Sequence, residues 1–188
     1  MCYAQGGENR YHAILGGGPC FFAHPSDLAP AFVAFDAQAR IVGPQGERTV
    51  PVEKLYRLPI EQLRVGLRLE PGEILAELRV PAPKEGSRST YLKFKERPSF
   101  DFALAGVAAR LVLEGGKVTA VRLALSGVSP VPWRAAEAEQ ALVGSALNVA
   151  AARKAADLAV DESVPLARNR YKIALTRTIV RRALMSLA

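Results

Sequence analysis

Between Asp101 and Gly127 the chain reads DFALAGVAARLVLEGGKVTAVRLALSG, two long apolar-rich stretches that meet at Glu114-Gly115-Gly116-Lys117. No other segment restricts the fold as much. A Gly-Gly pair supplies the positive φ values that a tight hairpin loop needs, so the two stretches are expected as antiparallel neighbours. TYLKFKER, just ahead, adds a third strand. A small sheet has an apolar face that must be covered, and three helical patterns follow: 133–143, 146–159 and ARNRYKIALTRTIVRRALMSL. In the last of these, Tyr171, Ile173, Leu175, Ile179, Val180 and Leu184 gather mostly on one side, with Arg177, Arg181 and Arg182 on the other. Three strands followed by three helices make an α+β unit with its sheet covered on one face. Trp133 is expected at the start of a helix, since Pro132 suits a helix entry.

PAPKEGSRS is the most linker-like stretch. It sets a boundary near 82–88 and divides the chain into 1–83 and 84–188. In the first part, Ser26 or Asp27 caps a helix over DLAPAFVAFDAQA, with Leu28, Phe32 and Phe35 at helical spacing and Pro30 in the first turn. ARIVGPQGERTVP reads as a hairpin with strands 39–43 and 47–50. VEKLY is a short helical turn, and EILAELRVP alternates as a strand.

Composition excludes several function classes. With 188 residues, 49% hydrophobic and 23% charged, the chain can bury a core and is globular. No apolar run approaches the ~20 residues of a membrane span. The first ten residues lack the basic-then-apolar order of a secretory signal. Two cysteines make no disulfide framework and fit a reducing cytoplasm. The net charge of +7 is spread along the chain with no aromatic-plus-basic signature, so no nucleic-acid partner is expected. Cys2, Cys20, His12 and His24 are too few and too scattered for a metal site. Ser26 lies beside His24 and Asp27, but neighbours in sequence rarely form a catalytic triad, and no catalytic residue is assigned.

ILGGGPCFFAHPSDLAP, residues 14–30, is the segment with chemical content. Its glycines expose backbone N–H groups and let a pyrophosphate or a flavin edge approach closely. The Asp that follows can accept hydrogen bonds from ribose hydroxyls. The other reading is a turn that starts a capped helix.

NRYHAILGGGPCFFAHPSDLAPAFVAFDA resembles a segment of the FAD-binding subunits of the molybdenum hydroxylases, the xanthine dehydrogenase, carbon monoxide dehydrogenase and aldehyde oxidoreductase group. KFKERPSFDFALAGVAARL and ALSGVSPVPWRAAEAEQALVG resemble that subunit's C-terminal domain, and NRYKIALTRTIVRRAL its last helix. The implied fold is α+β: the second lobe of a PCMH-type FAD-binding domain over 1–83, then a CO dehydrogenase flavoprotein C-terminal-like domain over 84–188, a three-stranded antiparallel sheet with three helices. The resemblance implies that the backbone of Ile14, Leu15, Gly16, Gly17 and Gly18 passes along FAD, with Cys20 just beyond. It implies that Asp27 contacts the cofactor, that Ile74 and Leu75 lie near the isoalloxazine, and that Lys93 reaches the ring. Each has a plainer alternative. Ile74 and Leu75 are core, Lys93 and Lys95 form a strand's solvated face, and Asp27 is only a cap. Cys2 resembles the last cysteine of an iron–sulfur loop, but a [4Fe–4S] cluster wants four thiolates and the chain has two.

The family's other FAD lobe, with its pyrophosphate-binding glycine loop, is not among these residues. FAD is therefore expected to be shared with that lobe and to be scarce on the isolated chain. An apolar patch around Ile14, Phe21, Phe22 and Leu75 would favour a homo-oligomer in isolation, or a separate polypeptide supplying the lobe. The implied partners are a molybdenum-cofactor subunit and a [2Fe–2S] subunit. The implied role is electron transfer from iron–sulfur centres to an external acceptor. The alternative is a non-enzymatic remnant or a docking or oligomerisation module.

Overall fold

The computed structural model describes residues 2–64 and 66–188. Helix α1 (Leu28–Ala34) leads into the hairpin of β1 (Gln38–Gly43) and β2 (Gly46–Pro51), followed by the short α2 (Val52–Leu55). Strand β3 (Ile74–Arg79) returns to the free edge of β1, giving an antiparallel sheet of order β2-β1-β3.

A second antiparallel sheet follows. Strands β4 (Ser87–Phe94), β5 (Ala105–Glu114) and β6 (Lys117–Ser126) lie side by side, with Gly115 and Gly116 at φ 56° and 76° in the expected hairpin turn. β5 begins at Ala105, not at Asp101. The Asp101 carboxylate accepts from the Arg97 guanidinium and from its neighbour's amide at Phe102, which folds 97–102 into a loop. Leu104 N–H then donates to the Phe94 carbonyl and closes it. A short fourth strand, β7 (Trp133–Arg134), pairs with β6. Because Ala135 N–H still donates to the Leu123 carbonyl, helix α3 (Ala136–Leu142) starts three residues after Trp133, which is a half-buried strand residue and not a helix start. Helices α4 (Val149–Leu158) and α5 (Tyr171–Met185) complete the chain.

The main core lies between this sheet and α3–α5, with Val107, Leu111, Leu123 and Leu125 against Leu142, Ala152, Val180 and Leu184. The sheet is covered on both faces, not one. Ala108 and Ala124 stand opposite each other on β5 and β6, and their small side chains admit Val33 and Ala34 of α1 with Ile41 and Leu55 behind. Arg110 and Arg122 also stand opposite each other, where like charges repel. Asp36, at φ 54°, accepts from both guanidinium groups and ties the α1–β1 corner to the second sheet.

Ile14 and Leu15 are buried in the main core, and Phe21 is 6% exposed. The apolar patch expected around Ile14, Phe21, Phe22 and Leu75 is therefore reduced to Phe22 and Leu75. The buried stripe of α5 is also rotated from the expected one. It runs Lys172, Thr176, Ile179, Val180, Ala183 and Leu184, leaving Tyr171 partly exposed. No helix among the described residues is long and apolar enough to cross a membrane.

Candidate functional site

The glycine segment is a closed loop. Ala13 N–H donates to the Phe21 carbonyl at 2.7 Å, pinching residues 14–20 together. The amides of Ile14 and Leu15 both donate to the Val128 carbonyl, so they serve the fold. Gly16 sits at φ 60°, and a Cβ there would lie 2.8 Å from the Trp133 ring and 2.9 Å from Leu58. A Cβ on Gly17 would collide with the Phe21 ring, whereas one on Gly18 would point into open space. Among the described residues, the amides of Gly16, Gly17 and Gly18 make no hydrogen bond, which leaves three adjacent donors for a ligand.

The start of α5 grips the segment that leads into this loop. The Lys172 ammonium donates to the Tyr11 and Gly127 carbonyls, both at 2.7 Å. The Asn169 amide donates to the carbonyls of His12 and Ala13, and the Tyr171 hydroxyl to that of Arg10. Likewise Arg168 N–H donates to the Asn9 side-chain oxygen at 2.8 Å. Lys172 has no exposed surface, and burial pushes its ammonium down to about 8.

Two residues selected from the sequence meet directly. Ser26, not Asp27, caps α1, its Oγ accepting from Ala29 N–H at 3.0 Å. That frees the Asp27 carboxylate, which takes the Lys93 ammonium at 2.5 Å on Oδ2 and the Tyr91 hydroxyl at 2.8 Å on Oδ1. Tyr91 and Lys93 are two residues apart on β4 and so share a face. Lys93 is thus not on a solvated face: its side chain is 15% exposed and its Nζ lies 5.7 Å from the Phe100 ring centroid. Burial, with the Asp27 charge adding, pushes the Tyr91 phenol well above the usual tyrosine range.

A cavity of about 630 Å³ lies between segments that neighbour this cluster in sequence, although Asp27, Tyr91, Lys93 and Gly16 to Gly18 are not among its walls. Its walls are the residues flanking the glycine loop, Tyr11, His12 and Phe22 to Pro25, and the loop after β4 up to Leu104. Such a volume suits a small-molecule or cofactor ligand. His24 stacks edge-on to Tyr56 with centroids 5.1 Å apart, and burial lowers its pKa, favouring the neutral ring. The rim is charged, with Arg10 and the Tyr11 hydroxyl both on Glu96 and Arg97 on Asp101. Phe100 and Phe102 stand on the loop largely uncovered. These loop residues do not emerge from a reading of SFDFAL as strand. The signal that finds them is a pair of phenylalanines flanking an aspartate directly after Pro-Ser, a turn composition.

The remaining candidates lie apart. Ile74 and Leu75 open β3, opposite Val42 and Ile41, and are 63% and 40% exposed, so they are not core. Among the described residues no hydrogen bond joins them to Asp27, Lys93 or the glycine loop. Cys2 and Cys20 are half-buried free thiols. The described residues contain no group of three or more His, Cys, Asp or Glu that could hold a metal ion.

Comparison with known proteins identifies the family. Residues 5–83 match the family model of the FAD binding domain in molybdopterin dehydrogenase, and residues 89–187 that of the CO dehydrogenase flavoprotein C-terminal domain. An aldehyde oxidoreductase FAD-binding subunit of Escherichia coli strain K12 is 32% identical over 94% of this chain and 52% of its own length. A carbon monoxide dehydrogenase medium chain of Hydrogenophaga pseudoflava is 34% identical over 89% of this chain and 58% of its own length. The chain thus spans between half and three-fifths of these relatives. The solved carbon monoxide dehydrogenase from Hydrogenophaga pseudoflava, lacking the Mo-pyranopterin moiety of its molybdenum cofactor, superposes with a TM-score of 0.74 at 34% identity, over 86% of this chain and 58% of that chain.

Proposed function

Because the chain belongs to the CO dehydrogenase flavoprotein C-terminal domain family, with a molybdopterin-dehydrogenase FAD-binding stretch ahead of that domain, we propose that it is the FAD-binding, electron-transferring part of a molybdenum hydroxylase. The observation that carries this reading is the meeting of Asp27 and Lys93 across 66 residues, in a fold that also holds a glycine loop with three unengaged amides and a flavin-sized cavity walled by the residues flanking that loop. When bound, FAD supplies the redox chemistry, between iron–sulfur centres in a partner and an external acceptor. The protein supplies position and electrostatics. Gly16 to Gly18 offer N–H donors to phosphate oxygens, at a turn where Gly16 and Gly17 have no room for a side chain. Cys20 borders that turn. Lys93 offers the ammonium protons not bound to Asp27 to the polar edge of the ring. Asp27 holds that ammonium and accepts from cofactor hydroxyls. Phe22 and Phe102 line the slot, whereas Ile74 and Leu75, exposed at the start of β3, are not among its walls. No residue transfers a proton in this reading, and substrate oxidation belongs to a molybdenum-cofactor subunit.

The division of labour falls near residue 83: the glycine loop and Asp27 lie ahead of it, and the platform of sheet and helices behind it adds Lys93 and Phe102. The partners are a molybdenum-cofactor subunit and a [2Fe–2S] subunit, or a separate polypeptide that supplies the other FAD lobe and completes the site. These 188 residues form one wall of it and by themselves hold little FAD, because losing half the contacts leaves the cost of immobilising an extended dinucleotide unchanged. The two free thiols suit a reducing compartment such as the cytoplasm. The test is flavin content per chain, read from visible absorbance, for the chain alone and for the chain purified with its molybdenum-cofactor and iron–sulfur partners. Near-stoichiometric flavin only in the complex supports the reading. A complex that retains full flavin after this chain is removed refutes it.

A further inference from the structure

The carboxylate of Asp27 is held by more than its lysine. Tyr91 and Lys93 converge on it from one face of β4, one to each oxygen. A lysine partner alone, with its flexible stem, leaves the carboxylate free to turn. A tyrosine ring has two torsions and fixes one oxygen in space.

Behind Tyr91 lies a second hydroxyl. Ser126 Oγ, on β6, is 3.1 Å from the Tyr91 oxygen, although β5 lies between the two strands. Gly106 makes this possible. It pairs with Lys93 on one side and Ser126 on the other, and a Cβ there would collide with Ser126 Oγ and come within 3.1 Å of the Tyr91 hydroxyl. The missing side chain opens a passage across the middle strand through which the two hydroxyls meet. The proton inventory then sets the direction. Tyr91 has one O–H, and the anionic acceptor takes it because charge-assisted hydrogen bonds are the stronger. Ser126, 3% exposed, donates its own proton to the Tyr91 oxygen. The result is a directed chain from Ser126 to Tyr91 to Asp27, with Lys93 closing the far end. Nothing in the fold of β4 requires this hydroxyl, since the ladder bonds of the strand are backbone bonds.

We propose that Tyr91 is a positioning residue, whose hydroxyl, backed by Ser126 through the gap at Gly106, fixes the orientation of the Asp27–Lys93 pair and thereby sets flavin affinity and potential. This rests on the reading of the Asp27–Lys93 pair as part of the FAD site. The phenol is suited to the task because it stays protonated across the working pH range.

The test has two arms. In the FAD-free chain, the rate at which Lys93 is acylated by acetic anhydride is followed by peptide mass spectrometry. Asp27→Asn frees the ammonium and sets the upper limit. Tyr91→Phe, which keeps the ring, is expected to raise the rate several-fold, and Tyr3→Phe, at a 95% exposed ring, to leave it unchanged. In the complex with its partners, Tyr91→Phe is expected to weaken FAD binding about tenfold, as loss of one charge-assisted hydrogen bond does, and to move the flavin midpoint potential. Ser126→Ala is expected to act in the same direction with a smaller effect, and it carries the test if Tyr91→Phe fails to fold. Unchanged Lys93 labelling in Tyr91→Phe overturns the proposal. Faster labelling with unaltered FAD affinity and potential also overturns it while Asp27→Asn still weakens FAD, and the site reading then stands. If Asp27→Asn leaves FAD unaffected as well, both fail.

Discussion

Replacing Lys172 with Met removes a titrating group and keeps an unbranched side chain, one atom shorter. Lys172 is fully buried with two carbonyl acceptors, and burial lowers its ammonium from 10.5 to about 8. That drop corresponds to about 3 kcal/mol. The sign follows from which state binds the proton. Below pH 8 the amine is protonated in both folded and unfolded chains, and the folded state bears the whole burial penalty. Between pH 8 and 10.5 the folded chain releases a proton that the unfolded chain keeps, so this contribution to stability improves as pH rises. Met bears no such penalty at any pH. It leaves the Tyr11 and Gly127 carbonyls without their donor, an offset that does not titrate. The stability of the wild type minus that of Lys172→Met should therefore grow by about 2.5 kcal/mol between pH 7 and pH 10. Urea unfolding of both proteins at pH 7, 8, 9 and 10 measures it, and groups that titrate alike in both cancel. A difference that stays flat with pH would refute the buried-ammonium account.

Two further outcomes are expected. Gly16→Ala places a methyl group against Trp133 and Leu58 at a φ of 60°, and should lower stability by about 2–4 kcal/mol, measured by thermal unfolding with Trp133 emission as the probe. Phe102→Ala removes a side chain that is 64% exposed, so unfolding should shift by about 0.5 kcal/mol or less, while flavin retention by the complex, followed by dialysis and absorbance, falls several-fold.

Elements with strong local signals were legible in the sequence. The Gly115-Gly116 turn, the Gly43 to Gly46 hairpin and the helical pattern of α4 each rest on nearby residues, and each stands where it was expected, apart from shifts of one to three residues at the ends. What was not legible depended on distant partners. Helix α3 starts late because Trp133 and Arg134 pair with β6, which no local propensity encodes. The stripe of α5 is rotated because Lys172 finds carbonyls 161 and 45 residues away, whereas a hydrophobicity pattern places any lysine outside. Within the site, Asp27 and Lys93 were nameable only through a family resemblance. Their pairing across 66 residues, and the part of Tyr91 in it, needed the fold. The loop after β4 was misread because Phe100 and Phe102 are exposed, and large apolar side chains read locally as strand.

The most direct test of the central claim is where FAD lies. A photoreactive 8-azido analogue of FAD, loaded into the complex of this chain with its partners and irradiated, marks the residues nearest the ring. Labelled peptides from this chain covering residues 22–25 or 96–104 are the predicted result. Label confined to the partner subunits, or falling on this chain only at sites distant from that cavity such as the β1–β2 hairpin, would contradict the account.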